Sequence, residues 1–273
     1  MATPLPHTPD LPLTHLRLER HDDGVAVLTL DQPERRNAMS TEMTASWQAA
    51  LAHLEGDDGL RAVLVTGAGS AFCSGGDTTW LASEPDASVD DLRTRMMGFY
   101  RAWLGVRRLE VPVVAAINGP AIGAGLALAL ACDVRVAAPG ARMGVPFTAL
   151  GLHPGMGTTH LLPDVVGHAA ARDLLLTGRL VADDEALRLG LVTQVLDDGD
   201  FAASALALVR GIAATAPVAA RLTKLALARG GHSDLEAALQ WEGLAQPVTL
   251  ATADLAEGLA AARERRRPRF TGR

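Results

Sequence analysis

The chain has 273 residues, 48% of them hydrophobic, enough for a substantial core in one large domain. A net charge of −6 argues against a generic nucleic-acid binder, and the uncharged apolar run Ala121–Cys132 is too short to span a bilayer. Two cysteines cannot build a disulfide framework and no basic-then-apolar leader opens the chain, so the expectation is a soluble cytoplasmic protein.

Residues 1–12 are proline-rich and read as a flexible leader. "HLRLER" and "GVAVLTL" flank Asp22–Asp23–Gly24 and read as a β-hairpin. "PERRNAMS" is a polar loop, with Ser40 as N-cap of a helix over Glu42 to His53. "LRAVLVTG" reads as a buried strand, followed by a Gly/Ser-rich loop over 67–77 and helical spacing from Asp90 to Leu109. "VPVVAAI" is a second buried strand, a helix starts near Gly123–Gly125, and "DVRVAA" is a third strand. After Pro163 the chain turns mostly helical, through "HAAARDLLLTG", "ADDEALRLG", Phe201–Ala228 and Asp234–Arg265, with "LVTQVL" a short strand. Pro217 and Gly230–Gly231 divide the helical part. This order predicts an α/β domain: a core over 13–200, then a helical region over 201–273 belonging to the same domain.

The loop "VTGAGSAFCSGGD" invites a dinucleotide reading because Gly67-x-Gly69 follows a strand. The third fingerprint position is Phe72, and no P-loop lysine is present, so that reading fails. What remains is a strand opening into Cys73, Ser74, Gly75 and Gly76, whose backbone N–H groups are unobstructed. "NGPAIGAGLALALACD" shows the same device after the next strand: a turn, then the first N–H groups of a helix, which lack internal partners and carry the positive end of its dipole. Two such loops side by side can aim two donors at one oxygen, which is an oxyanion hole.

"SAFCSGGD" followed by "PVVAAINGPAIGAGLALALACDVRVA" closely resembles the enoyl-CoA hydratase/isomerase (crotonase) superfamily. The likeness runs on through "LDQPERRNAMS", "PFTALGLHPGMGTTHLLPDVVG", "LLLTGRLVADDEALRLGLVTQV" and "EGLAAARERRRPRFTG", and so covers nearly the whole chain. The resemblance implies a spiral of ββα turns with a helical C-terminal region that makes trimers or dimers of trimers. It implies an acyl-CoA thioester ligand, with coenzyme A as part of the substrate and no separate cofactor. By motif position the thioester oxygen would meet the backbone N–H groups of Cys73 and Ala124, with Cys73 to Gly76 lining the thioester path. Arg35 falls in a segment similar to the family's CoA-contacting loop, and Arg265 where a related helix, often a neighbouring subunit's, meets CoA phosphates. Both arginines also read as solvated surface charges.

Hydration of an enoyl thioester needs a base and an acid. The resemblance puts hydratase glutamates at positions occupied here by Ala127 and Phe147, and an isomerase carboxylate at Gly155. None of the three moves a proton. His153 is the substitute acid/base, with a hydrogen-bonded structural histidine as its competing role. His160 sits on the following helix, and Asp77 resembles a structural turn residue. Glu84, Asp86 and Asp91 lie in a loop and helix start over the acyl pocket, which Tyr100 and Trp103 shape. No metal-ligand cluster is apparent. Two functions stay open: an acyl-CoA enzyme with a non-standard acid/base, and a catalytically silent acyl-CoA-binding protein.

Overall fold

A computed structural model describes residues 7, 9–77, 86–196, 199–228 and 234–273. The hairpin forms as expected: β1 (Leu16–Arg20) and β2 (Val25–Leu30) pair antiparallel, with Leu16 opposite Leu30 and Arg20 opposite Ala26. His7 extends this edge by exchanging backbone hydrogen bonds of 2.9 and 2.8 Å with Arg20. Helix α1 (Thr41–Glu55) starts at Ser40, whose Oγ accepts from Met43 N–H at 3.2 Å. β3 (Ala62–Gly67) follows, then α2 (Val89–Trp103). The helix expected up to Leu109 tightens into a 3-10 turn over Leu104–Arg108, where Gly105 and β-branched Val106 weaken α-helical propensity.

β4 (Val113–Ile117), β5 (Ala121–Ile122), α3 (Ala124–Ala131), β6 (Val134–Ala137) and β7 (Arg142–Gly144) come next. Helix α4 (Thr158–Thr177) begins before Pro163 and breaks at Gly167, whose φ is 77°. β8 (Val181–Ala182), α5 (Asp183–Arg188) and β9 (Gln194–Val195) close the α/β part. The helical remainder divides into α6 (Phe201–Ala213), α7 (Pro217–Ala228), α8 (Leu235–Leu250) and α9 (Ala253–Glu264). Pro217 opens α7, the place where its missing N–H costs least.

Six strands form one sheet in the order β1-β2-β3-β4-β6-β9, parallel except for the hairpin. Side chains of successive residues leave opposite faces. Leu28 and Leu30, Val63 and Val65, and Val113, Ala115 and Ile117 enter one core with α1, α3 and Trp103. Val25, Ala62, Leu64, Val114 and Ala116 enter a second core against Ala205, Val209 and Ala213 of α6. A three-stranded sheet, β5-β7-β8, lies beside the first. Its strands of two or three residues escape sequence periodicity altogether. No single helix among the described residues is long and apolar enough to cross a membrane.

Candidate active site

The loops after β3 and β4 are bound to one another. Asn118 Nδ2 donates to Gly69 O (3.0 Å) and Ala71 O (3.2 Å), while its Oδ1 accepts from Gly67 N–H at 3.1 Å. Asn37, fully buried with φ 55°, supplies the third side: Oδ1 accepts from Gln32 N–H at 2.9 Å. Its Nδ2 donates to Ala68 O (2.9 Å), Ala71 O (2.8 Å) and Phe72 O (3.2 Å). Sequence reasoning passed over Asn37, although an asparagine inside a polar loop is a signal for local backbone bonding.

Cys73 is placed differently from the expectation. It forms a parallel bridge with Ala121: its N–H donates to Pro120 O at 3.1 Å, and its carbonyl accepts from Ile122 N–H at 2.9 Å. Its thiol donates to Asn37 O at 3.1 Å, and burial pushes the thiol up to about 12. Both backbone groups are therefore committed, and Cys73 N–H is not an open donor. Ser74 N–H donates to Arg36 O at 3.0 Å, and Gly75 O accepts from Met39 N–H at 2.8 Å.

Gly75, at φ 101°, lies so close to the next loop that a Cβ there would sit 2.8 Å from Ile122 O and 3.4 Å from Ala124 N. One residue on, Gly76 opens into free space, and among the described residues no acceptor takes its N–H. Ala124 is the first residue of α3, so its N–H lacks an intrahelical acceptor. The approach continues at Gly125, where a Cβ would meet Cys73 O at 2.2 Å. Open amides at Gly76 and Ala124 thus flank the Gly75 contact at the positive end of a helix with no acid in its first turn.

Ala127, Phe147 and Gly155 stand where the sequence resemblance leads one to expect carboxylates. Ala127 is fully buried. The half-buried Phe147 ring lies 3.6–3.8 Å from where a Cβ on Gly123 would stand, beside the start of α3. At Gly155 the same construction meets Tyr100 Oη at 2.6 Å. Burial raises the Tyr100 phenol above its usual value, and the Met156 backbone opposes that rise.

His153 is exposed, with Nδ1 2.8 Å from Pro154 O, so its neutral form donates that proton to a local carbonyl. His160 is exposed, 3.8 Å from Asp164. Asp91 receives Ser88 Oγ–H at 2.6 Å at the start of α2, and Asp86 is exposed. Glu84 lies outside the described residues. Trp103 Nε1–H donates to Thr44 Oγ at 3.0 Å, and its ring stacks on Trp47 at 5.0 Å. Arg35 holds Asp77 at 3.0 Å and keeps 44% of its side chain exposed. Arg265 ends α9 at φ 54°, exposed, with its N–H on Ala262 O. Among the described residues no bond joins Arg265 to the two loops. No group of three His, Cys, Asp or Glu side chains among the described residues could hold a metal ion.

The sequence matches the enoyl-CoA hydratase/isomerase family over residues 20–273. It is 37% identical over 257 residues to 1,2-epoxyphenylacetyl-CoA isomerase of Escherichia coli (strain K12), covering 94% of this chain and 98% of that protein. The human enoyl-CoA hydratase domain-containing protein 2, mitochondrial, is 37% identical over 257 residues, 92% of this chain and 87% of its own. The crystal structure of enoyl-CoA hydratase from Bacillus anthracis matches with a TM-score of 0.88 at 33% identity, covering 95% of this chain and 100% of that one.

Proposed function

The chain belongs to the enoyl-CoA hydratase/isomerase family, and from that premise we propose that it holds an acyl-CoA thioester oxygen between the amides of Gly76 and Ala124. The observation that carries this reading is the pair of open N–H groups flanking the Gly75–Ala124 contact. Negative charge on that oxygen grows as a thioester becomes an enolate, and fixed backbone donors at a helix N-terminus stabilise it without reorganising. Ser74, Gly75 and Gly76 line the thioester path. Arg35, half free beside Asp77, and Arg265, from a neighbouring copy, are the basic contacts for CoA phosphates.

Replacement Ala124→Pro removes one donor at the first helical position, where proline is best tolerated. Turnover of crotonyl-CoA, followed by loss of the enoyl-thioester absorbance, is expected to fall about 100- to 1000-fold. Unchanged turnover would reject the oxyanion pair. His153→Ala is expected to leave activity intact, because the ring is exposed and bound to Pro154 O.

Ala127, Phe147 and Gly155 support a second reading, a silent acyl-CoA binder that retains the thioester clamp. Calorimetric binding of crotonyl-CoA and longer enoyl-CoAs without turnover would select it. The exposed Leu235, Leu239, Leu244, Val248 and Leu259 on the last helices support self-association as a trimer or a dimer of trimers. Light scattering at assay concentration tests that assembly.

A further inference from the structure

Around the segment 147–156, candidate proton donors drop out one at a time. Phe147 and Gly155 carry no protic group, and His153 faces solvent. Thr158 Oγ–H donates to Gly155 O at 2.9 Å, Thr148 Oγ–H to Leu175 O at 3.1 Å, and Trp103 Nε1–H to Thr44 Oγ. Tyr100 is different. Its Oη stands 2.6 Å from the place of a side chain at 155, and Cζ stands 3.1 Å from it, so the phenol occupies the room that a residue there would need. Among the described residues no acceptor takes the Tyr100 O–H. The phenol proton is therefore uncommitted.

The same ring walls an open cavity of about 480 Å³ together with Met97, Leu104 and Gly157, mostly apolar and edged by Arg101 and Arg108. That is ligand-sized space for an acyl chain beside a single hydroxyl. The segment that touches Tyr100 at Gly155 also brings Phe147 against the start of α3. One stretch of chain thus connects the phenol to the helix whose Ala124 amide is open.

We propose that Tyr100 is the catalytic proton donor of this site, a role that rests on the acyl-CoA reading above. The O–H bond of Tyr100 breaks as its proton bonds to the α-carbon of the thioester enolate, whose electron pair forms the new C–H bond. The enolate oxygen, held by Gly76 and Ala124, returns to a carbonyl, and the phenolate recovers a proton from water. In hydration that water is the one adding to the β-carbon, so H and OH are both accounted for. Burial, which disfavours phenolate, keeps the group protonated before the step.

Tyr100 is the chain's one tyrosine, so its ring gives a single, assignable NMR signal. The test measures acyl-CoA affinity and crotonyl-CoA turnover for the wild type and Tyr100→Phe. The variant keeps the ring and its packing. Its turnover is expected to fall about 100-fold or more with affinity within about twofold. Saturating butyryl-CoA is expected to shift the ring-labelled Tyr100 signal of the wild type. Wild-type turnover in Tyr100→Phe, an unmoved signal, or a wild type that binds but does not hydrate would each overturn the proposal while leaving acyl-CoA binding in place. A wild type that binds no acyl-CoA would overturn the acyl-CoA reading itself, and this role with it.

Discussion

Asn37 makes four hydrogen bonds from one side chain, and three end on carbonyls of the loop that carries Gly76. Removing it leaves Gln32 N–H and Phe72 O buried without these partners, at about 1–3 kcal/mol for each one that water cannot reach, while Ala71 O keeps its bond from Asn118 Nδ2. Asn37→Ala is therefore expected to destabilise the fold by about 3 kcal/mol or more, read by urea unfolding. Asn37→Asp keeps the acceptor, loses the donors and buries a charge, so it is expected to rescue nothing. The cysteines give a second check. Burial pushes the thiols of Cys73 and Cys132 up to about 12, so both remain protonated near neutral pH. Neither is expected to react with a thiol reagent in the native state, and both are expected to react in denaturant. Rapid native labelling of Cys73 would contradict the bridge that buries it.

At the scale of elements, α3 shows a local preference overruled by a tertiary contact. Gly125 costs this helix roughly 1 kcal/mol relative to alanine. A Cβ there, however, would stand 2.2 Å from Cys73 O, a backbone atom fixed by Ile122 N–H. The clash outweighs the propensity, so Gly125→Ala is expected to lower stability by about 1–3 kcal/mol and to spread the Gly76 and Ala124 amides. Thermal melting and crotonyl-CoA turnover measure the two effects. The same contact marks what the sequence could reveal. The hairpin, α1, the buried strands and the breaks at Pro217 were legible because turn residues, caps and apolar runs are local signals. The choice between Cys73 and Gly76 was not. It depends on which amides along the loop face the β4 side, and the bridge to Ala121 decides that from outside the motif. The meeting of Tyr100 with Gly155 likewise joins α2 to a turn far along the chain, with no shared motif to announce it.

For the whole molecule, the last residues tie the helical end to the sheet. Arg61 Nη2–H donates to Phe270 O at 2.7 Å, and Asp254 accepts from Thr271 N–H (2.7 Å) and Gly272 N–H (2.8 Å). Glu257 receives Arg266 Nη2–H at 2.9 Å and Arg269 N–H at 2.8 Å. The Arg266 side chain, and after it the Arg269 amide, lower the Glu257 carboxyl from 4.5 to about 2. A depressed carboxylate contributes fully above its unfolded value and loses that contribution as pH falls through the folded one. Attachment of the tail is thus expected to hold above about pH 4.5 and weaken toward pH 2. Amide exchange at Arg269, whose N–H Glu257 accepts, reads this directly, and Glu257→Gln is expected to remove the dependence there.

The Gly76 and Ala124 donors are main-chain groups, and this has an evolutionary consequence. Short of proline, no side-chain replacement deletes an N–H, so under the proposed function point mutation away from the Gly75 and Gly125 contacts leaves the oxygen-holding half of such a site in place. Positions 100, 127, 147 and 155 are free to vary independently of it. A lineage built this way can lose one proton carrier, pass through a form that only binds, and acquire another carrier elsewhere. Its ligand class is then inherited with the fold, while its reaction is rewritten by single substitutions.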